Sequence, residues 1–292
     1  MSITGVTRVA AVIGWPVEHS RSPQMLNAAF AECGIDAVLV PVGVAPDGLA
    51  SVFAGLRAMR ALGASVTVPH KVAVAAMCDE LSVGAKVIGA VNCLHFEHDR
   101  VVGYNTDEGG FVDALVAAGF QLAGKRAVIL GAGGAARAIA YGLRACRSVE
   151  VIARRSVDWA PEAGTAQALG SLSSGVTAWP WTAETLSDAF ARADLVVDTT
   201  PMGLGTPNSS SDEAAFVEGL PLDVLAPHAW VSTLVYHRTP LLLERAKARG
   251  HRVIDGRSML VHQGARAFTI WTGRPAPLDV MTRALDGSIA GT

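Results

Sequence analysis

Residues 128–136 read Val128-Ile129-Leu130-Gly131-Ala132-Gly133-Gly134-Ala135-Ala136. The apolar run predicts a buried strand, the glycines predict a tight turn, and the alanines open a helix. Strand, G-x-G-x-x-A turn and helix in this order are the fingerprint of a dinucleotide-binding unit. The glycines let the backbone approach a pyrophosphate, and the helix N-terminus offers unpaired N–H groups. The segment from Gly131 to Ala135 (Gly131, Ala132, Gly133, Gly134 and Ala135) is therefore predicted to bind the cofactor; an ordinary glycine-rich turn is the alternative.

The next predicted strand distinguishes between two cofactors. NAD-preferring sites carry Asp or Glu at the C-terminal end of that strand, where it accepts hydrogen bonds from the ribose hydroxyls. Here the strand Val149–Ala153 is followed by Arg154 and Arg155, and Glu150 stands at its beginning. Guanidinium groups suit a 2′-phosphate, and Arg137 on the fingerprint helix is a candidate third group. The pattern predicts NADP, with NAD as the alternative cofactor; two solvated surface arginines are the competing interpretation.

Strands alternate with helices on both sides of the fingerprint, which predicts the α/β class with a parallel sheet covered on both faces. The turn-rich stretch Gly119–Lys125 separates an N-terminal unit from the fingerprint unit, and 292 residues suffice for two domains. Residues 156–182 are rich in Ser, Gly and Ala, and we expect one helix there. Thr206–Ser211 is predicted to be a surface loop. The last predicted helix spans about Met259–Trp271.

A second informative stretch is Ser65-Val-Thr67-Val-Pro69-His70-Lys71. Its alternating apolar residues predict a strand that Pro69 ends, and Pro69 opens a helix with Lys71 in the first turn. The helix dipole makes that an unfavourable place for a cation. Because α/β proteins bind ligands where parallel strands end, Lys71 is a candidate general acid or base. A solvated lysine without a role is the alternative.

Three further segments are ambiguous on their own. Asp107 follows two N-cap candidates in Gly103–Asp107, so it is either a first-turn acid that complements the helix dipole or a site residue. His19–Ser22 either caps a helix or holds a polyol or carboxylate. Thr200, in the turn after the predicted strand Leu195–Asp198, either lines the cofactor crevice or belongs to a plain loop.

Composition excludes several classes of protein. The chain has 24 basic and 26 acidic residues, a net charge of −2, so it carries no basic footprint for nucleic acid. No apolar run approaches the roughly 18 residues of a membrane span. The first residues lack the pattern of a secretory signal, and the four cysteines form no C-x-x-C motif. We expect a cytoplasmic protein that binds a small molecule, with no metal, nucleic acid or membrane as a partner.

Taken together, the motifs resemble those of the shikimate dehydrogenase family along nearly the whole chain. The matching segments are Ile13-Gly-Trp-Pro-Val-Glu-His-Ser20-Arg-Ser22-Pro, Ser65–Lys71, Gly89–Asn92, Gly103–Asp107, Gly131–Ala136, Tyr236, and Asp255-Gly256 with Met259–Gln263. The resemblance implies a substrate-binding domain at 1–104, completed by 257–292, and a Rossmann domain at 105–256, with the active site in the cleft between them. It also implies reversible, NADPH-dependent reduction of 3-dehydroshikimate to shikimate in the biosynthesis of chorismate and aromatic amino acids.

The resemblance further assigns roles to single residues. Lys71 would be the general acid/base, and Asp107 would pair with it and with a substrate hydroxyl. Ser20 and Ser22 would hold the substrate carboxylate. The substrate hydroxyls would contact Thr67, Asn92, Tyr236 and Gln263, and the backbone of Leu234 and Gly256 would approach the nicotinamide.

Some positions depart from the family pattern and leave alternatives open. Ser65 stands where the family usually has Asn, Thr233 replaces an Asp, and Arg257-Ser258 replace Leu-Gly. An enzyme for quinate, aminoshikimate or a related cyclic hydroxy acid is therefore one alternative. A non-catalytic ligand sensor is another, although a sensor is expected to lose Lys71 or Asp107. The oligomeric state is predicted to be a monomer or a homodimer.

Overall fold

A computed structural model describes residues 3–97, 100–154, 175–202 and 209–290. The chain divides into two compact units. The first unit contains Met1–Gly110 and Leu260–Thr292, and the second contains Phe111–Met259.

Each unit contains one six-stranded sheet. The strands are β1 (Arg8–Gly14), β2 (Ala37–Gly43), β3 (Gly63–Val66), β4 (Glu80–Leu81), β5 (Cys93–Glu97), β6 (Arg100–Tyr104), β7 (Arg126–Leu130), β8 (Ser148–Ala153), β9 (Val176–Pro180), β10 (Leu195–Asp198), β11 (Trp230–Thr233) and β12 (Arg252–Ile254). The described α-helices are α1 (Ser22–Glu32), α2 (Leu49–Ala58), α3 (Val83–Ile88), α4 (Asp107–Ala117), α5 (Gly134–Gly142), α6 (Ala183–Arg192), α7 (Ser209–Glu218), α8 (Leu241–Ala248), α9 (Gly256–Thr272) and α10 (Leu278–Ala290).

The first sheet is mixed and has the strand order β2-β1-β3-β5-β6-β4. Strand β1 runs parallel to β2 and β3, whereas β5 is antiparallel to both β3 and β6. Side chains of β1 alternate between two cores: Ala10 and Val12 pack with Phe30 and Phe268 on one side. Ala11 and Ile13 pack into a different cluster on the other side. The sheet is thus buried on both faces, as its continuous apolar strands require.

The second sheet is entirely parallel and has the order β12-β11-β10-β7-β8-β9. Counted within this unit, the order is 3-2-1-4-5-6, which is the Rossmann arrangement. Strand β7 lies at its centre, with Val128 and Leu130 in one core and Ala127 and Ile129 in the other. The fingerprint turn therefore follows the central strand, at the point where the strand order reverses.

The structure differs from the sequence-based prediction at β9, α7 and α10, among other elements. Strand β9 lies at the end of the segment 156–182, where we expected one helix; residues 155–174 lie outside the described part of the chain. Helix α7 begins at Ser209, within the predicted loop Thr206–Ser211. Helix α10 follows the helix that was predicted to be the last.

Candidate functional site

The polar motifs of the first unit meet at one edge of its sheet. The parallel strands β1 and β3 end there, at Gly14 and Val66. The antiparallel strand β5 begins at the same edge, because Cys93 pairs with Ser65 near the end of β3. Strand β6 ends there as well, since Tyr104 pairs with Cys93. This topology brings together residues that are far apart in the sequence.

Lys71 and Asp107 form an ion pair at this edge. The Lys71 Nζ atom donates to Oδ2 of Asp107 at 2.6 Å. The Asp107 side chain is 9% exposed and that of Lys71 is 22% exposed, so the pair is partly shielded from water. The backbone carbonyl of Lys71 accepts a hydrogen bond from the Val91 N–H group at 2.8 Å, which ties the two motifs together.

The prediction that Lys71 lies in the first turn of a helix was wrong. Residues 68–72 form a turn, in which the His70 N–H group donates to the Thr67 carbonyl at 3.0 Å. A short 3-10 helix, Ala73–Met77, begins only afterwards. Lys71 therefore owes its position to the ion pair and to this turn.

Asn92 connects the members of the site. Its Nδ2 atom donates to Asp107 Oδ1 at 2.8 Å and to Thr106 Oγ1 at 3.0 Å. Its Oδ1 atom accepts from the Thr106 N–H group at 2.7 Å. The Oε1 atom of Gln263, on α9, lies 3.4 Å from Asn92 Nδ2. Asn92 is 4% exposed, so these hydrogen bonds replace water and fix the Asp107 carboxylate.

Ser20, Ser22 and Thr67 follow strand ends at the same edge. Thr67 comes directly after β3, and its N–H group donates to the Ile13 carbonyl at 2.9 Å. Ser22 is buried at the first position of α1, and its N–H group points to Ser20 Oγ at 3.4 Å. The N-cap of α1 is Arg21, and it makes no side-chain cap. Ser22 therefore lies inside the helix and does not cap it, contrary to the capping interpretation of this segment.

His70 is a structural member of the site that the sequence pattern did not predict. This residue is 2% exposed, and its Nε2 atom donates to the carbonyl oxygen of Val44 at 2.6 Å. The contact ties the Lys71 turn to the chain that leaves β2. A buried histidine gives no signal in a strand-and-turn pattern, so local sequence reasoning had no means of finding it.

The fingerprint turn has the geometry that its glycines predict. Gly131 has a φ of +108°, and an added Cβ would lie 2.8 Å from Thr199 Oγ1. Only glycine adopts that backbone conformation readily. Helix α5 begins at Gly134, directly after Gly133. The turn and the helix N-terminus thus present backbone N–H groups in the way that binds phosphate.

A cavity of about 270 Å³ adjoins this turn. It is lined by ten residues: Gly131, Ala132, Gly133, Ala153, Arg154, Trp181, Thr200, Pro201, Met202 and Phe216. It therefore unites the turn with Arg154, which follows β8, and with Thr200, which follows β10. These residues fit a dinucleotide, because a backbone cradle and a guanidinium group share one cavity. Arg137 is not among the described lining residues, and Arg155 lies outside the described part of the chain.

Trp181 and Phe216 were also overlooked. Trp181 directly follows β9, in the segment where we expected a helix, and Phe216 lies on α7, next to the predicted loop. A Rossmann unit of this order needs a third strand after the fingerprint helix and the second strand. The sequence-based prediction placed no strand there, and that gap was the signal that could have located β9.

Two acidic residues of the second unit have different environments. Glu150 is paired with Arg192 at 3.2 Å, which agrees with the interpretation that it does not serve the ribose. Asp198, at the end of β10, is 3% exposed, and burial raises the pKa of its carboxyl to about 6. Its Oδ1 atom accepts a hydrogen bond from the Thr200 N–H group at 2.9 Å.

The remaining predicted residues of the second unit lie near the end of β11. The N–H group of Gly256 donates to the Val235 carbonyl at 2.8 Å, and an added Cβ on Gly256 would collide with the carbonyl oxygen of Leu234. The backbones of Leu234 and Gly256 are thus in close contact. Tyr236 is half-buried, with its ring 5.9 Å from that of His237.

The described residues contain no group of three or more His, Cys, Asp or Glu side chains that could hold a metal ion. None of their helices is long and apolar enough to cross a membrane.

Comparison with known proteins identifies related sequences along the whole chain. Residues 12–94 match the family model of the shikimate dehydrogenase substrate binding domain, and residues 256–285 match that of the shikimate 5′-dehydrogenase C-terminal domain. The shikimate dehydrogenase (NADP(+)) of Moorella thermoacetica is 44% identical over 98% of this chain and 95% of its own length. That of Desulforamulus reducens is 40% identical over 99% of this chain and 98% of its own length.

Solved structures of two shikimate dehydrogenases and one quinate dehydrogenase superpose on nearly the whole chain. A shikimate dehydrogenase in complex with NADP+ superposes with a TM-score of 0.87 at 33% identity, covering 99% of this chain and 98% of that one. The Thermus thermophilus enzyme in complex with NADP(H) and shikimate has a TM-score of 0.80 at 32% identity, covering 96% and 99%. The quinate dehydrogenase of Corynebacterium glutamicum in complex with NAD has a TM-score of 0.83 at 26% identity, covering 96% and 99%.

Proposed function

The chain belongs to the shikimate dehydrogenase family, and from this premise we propose that it catalyses the reversible, NADP-dependent reduction of 3-dehydroshikimate to shikimate. One observation carries the proposal: a lysine and an aspartate, 36 positions apart in the sequence, form an ion pair of 2.6 Å, and the buried Asn92 amide donates to the other carboxylate oxygen. A proton donor fixed in this way is what reduction of a ketone to an alcohol requires.

In the proposed mechanism Lys71 transfers the proton and Asp107 positions Lys71. NADPH, when bound by the second unit, would supply the hydride. The Lys71 ammonium delivers a proton to the substrate oxygen as negative charge develops there, and it takes a proton back in the reverse reaction. Asp107 holds Nζ through Oδ2 and balances its charge, while Asn92 holds the other carboxylate oxygen. The rigid carboxylate lets the lysine act without losing its position.

The proposed substrate contacts are polar groups, most of them at the edge of the first sheet. Ser20 and Ser22 bind the substrate carboxylate, and Thr67, Asn92 and Gln263 bind its hydroxyls. Tyr236, which belongs to the second unit, also binds a hydroxyl. We assign the substrate-binding domain to 1–104 with 257–292 and the cofactor domain to 105–256. Hydroxyl and amide groups can donate and accept hydrogen bonds, which suits a ligand that carries several hydroxyls.

The cofactor contacts come from the second unit. The turn from Gly131 to Ala135 binds the pyrophosphate, Thr200 faces the same cavity, and the backbones of Leu234 and Gly256 flank the nicotinamide. Arg154 binds the 2′-phosphate, assisted by Arg137 and Arg155. Arg154 supports NADP over NAD because a guanidinium forms charge-assisted hydrogen bonds with phosphate.

The first test follows absorbance at 340 nm with shikimate and either NADP+ or NAD+. We expect robust reduction of NADP+ that falls by about 100-fold or more in Lys71→Ala, since general acid–base catalysis contributes about 10²–10⁴-fold. Lys86→Ala, which changes an exposed lysine of α3, is the matched control and should retain activity.

The other outcomes distinguish the alternatives. Turnover of quinate or an amino analogue without turnover of shikimate would keep the mechanism and change the substrate. Tight binding of NADP+ without turnover of any analogue would identify a ligand sensor. An unchanged NADP/NAD ratio of kcat/KM in Arg154→Ala would refute the role of Arg154.

A further inference from the structure

Trp181 is fixed beside Arg154 by the register of the second sheet. Strand β9 pairs with β8 so that Pro180 lies opposite Ala153. The N–H group of Trp181 continues the ladder and donates to the Ala153 carbonyl at 3.0 Å. The backbone of the tryptophan therefore has a defined position next to the residue that precedes Arg154.

The Arg154 side chain lies over two aromatic rings. Its Cζ atom is 5.3 Å from the ring centroid of Trp181 and 5.9 Å from that of Phe216. The two rings are themselves in contact, with centroids 5.8 Å apart. Phe216 is 6% exposed, whereas Arg154 is exposed. The two rings thus form an aromatic floor, defined here as Trp181 and Phe216, under an arginine that faces solvent.

Such a floor has a specific effect on an arginine. A guanidinium within about 6 Å of an aromatic centroid is attracted by the ring, and tryptophan is the strongest partner. The contact uses none of the five N–H donors, which stay suited to phosphate oxygens. It also confines a long side chain that would otherwise sample many rotamers. Binding then costs less conformational entropy, because the arginine is already in place.

We propose that Trp181, supported by Phe216, is a positioning residue for cofactor specificity, because it holds the Arg154 guanidinium where the 2′-phosphate binds. The inference rests on the proposed use of NADP and goes beyond it. It assigns part of the discrimination between NADP and NAD to an aromatic residue that contacts the arginine rather than to the arginine alone.

The test uses two cofactor fragments that differ only in the 2′-phosphate. Calorimetry measures the Kd of adenosine 2′,5′-bisphosphate and of 5′-AMP for the full chain and its variants. In Trp181→Leu we expect the bisphosphate to bind about 3- to 10-fold more weakly, the range of a cation–π contact, and 5′-AMP to change by less than about twofold. Trp181→Phe should keep most of the discrimination. Trp179→Leu, at an exposed tryptophan of the adjoining strand β9, is the matched control.

A double-mutant cycle separates this role from general packing. If Trp181 acts through Arg154, Trp181→Leu should have no further effect on the ratio of the two Kd values in an Arg154→Ala background. Equal weakening of both fragments, or an undiminished effect of Trp181→Leu without the arginine, would overturn the inference. Phe216→Leu supplies the same comparison should the Trp181 variants fail to fold.

Failure of this inference is distinct from failure of the proposed function. If the unmodified protein binds both fragments equally, the preference for NADP is absent. If it prefers the bisphosphate and Trp181→Leu keeps the full preference, only the role of the aromatic floor is refuted.

Discussion

At the scale of single residues, two shielded carboxylates differ in the partners that surround them. The Asp107 carboxylate accepts hydrogen bonds from the Lys71 ammonium group and from the Asn92 side-chain amide. Asp198 is buried at the end of β10 and receives a backbone N–H group from Thr200. Burial raises the pKa of Asp198 to about 6, and the negative charge of Glu213 adds to this shift. Asp107 is therefore suited to hold a cation, whereas ionisation of Asp198 lowers the stability of the folded protein.

The direction of the pH effect follows from proton binding. Between pH 4 and 6 the folded protein binds more protons at Asp198 than the unfolded chain, whose carboxyl has a pKa of about 3.9. Stability from this group therefore falls as the pH rises through that window. The full cost is about 3 kcal/mol above pH 7 and about half of that at pH 5.

Asp198→Asn should remove this cost, because the amide keeps an oxygen that accepts from Thr200 and carries no charge. Urea unfolding should show a gain in stability at pH 8 that is clearly larger than the gain at pH 5. Asp223→Asn changes an exposed carboxylate of the same unit and should alter the free energy of unfolding by less than about 0.5 kcal/mol at either pH. An equal gain for Asp198→Asn at both pH values would contradict the assignment.

At the scale of elements, a buried tryptophan sets how closely helix α9 packs on the first sheet. Trp271 is 3% exposed, and its Nε1 atom donates to the Leu94 carbonyl on β5 at 2.9 Å. The indole lies so close to Gly63 on β3 that an added Cβ would collide with it. Gly63 is therefore required for close packing of the helix on the sheet.

Gly63→Ala should destabilise the protein by about 1–3 kcal/mol, the range for an overpacked core. Gly55→Ala, in α2, is the control, because nothing lies within 4 Å of its added Cβ. That change should be neutral or should stabilise by up to about 1 kcal/mol, since alanine favours helix. Denaturant unfolding of both variants measures the difference. Similar free energies of unfolding for the two variants would mean that α9 moves to make room for the added methyl group without loss of stability.

The same elements show what the sequence could predict about the fold. Strand β7 and helix α5 were predicted because an apolar run ends at a glycine with an obligatory backbone conformation. Strand β9 is an edge strand whose residues are mostly exposed, so it shows no apolar periodicity. Helix α10 did carry a signal, because Met281 and Leu285 are spaced by four residues after Pro277 and both are fully buried.

The candidate site shows a different limit. The local pattern made Lys71 a candidate general acid or base, but its pairing with Asp107 came from the family resemblance, because local spacing could not bring together groups 36 positions apart. Sheet order does this, because it places the end of β3 beside the start of β5 and the end of β6. Local rules misplaced Lys71 on a helix for the same reason: the turn at Pro69 is held by Val91 and Val44, both distant in sequence from it.

At the scale of the whole molecule, each unit has cores built from its own residues. The clusters around Phe30 and Phe53 belong to the first unit, and those around Phe190 and Phe111 belong to the second. Units with separate cores can open separately, with their own free energies. A ligand that binds one unit should therefore stabilise mainly that unit.

Hydrogen exchange with each ligand alone tests this expectation. At about 100 times its Kd, a ligand adds about 2.7 kcal/mol to the opening free energy of the structure that binds it. NADP+ alone should slow exchange about 100-fold in β7, β8 and β10 and leave β1 and β3 nearly unchanged. Shikimate alone should slow the exchange of β3, β5 and β6, because Lys71, Asn92 and Asp107 lie just beyond the ends of these strands. Equal protection of both sheets by either ligand would mean that the two units open as one cooperative structure.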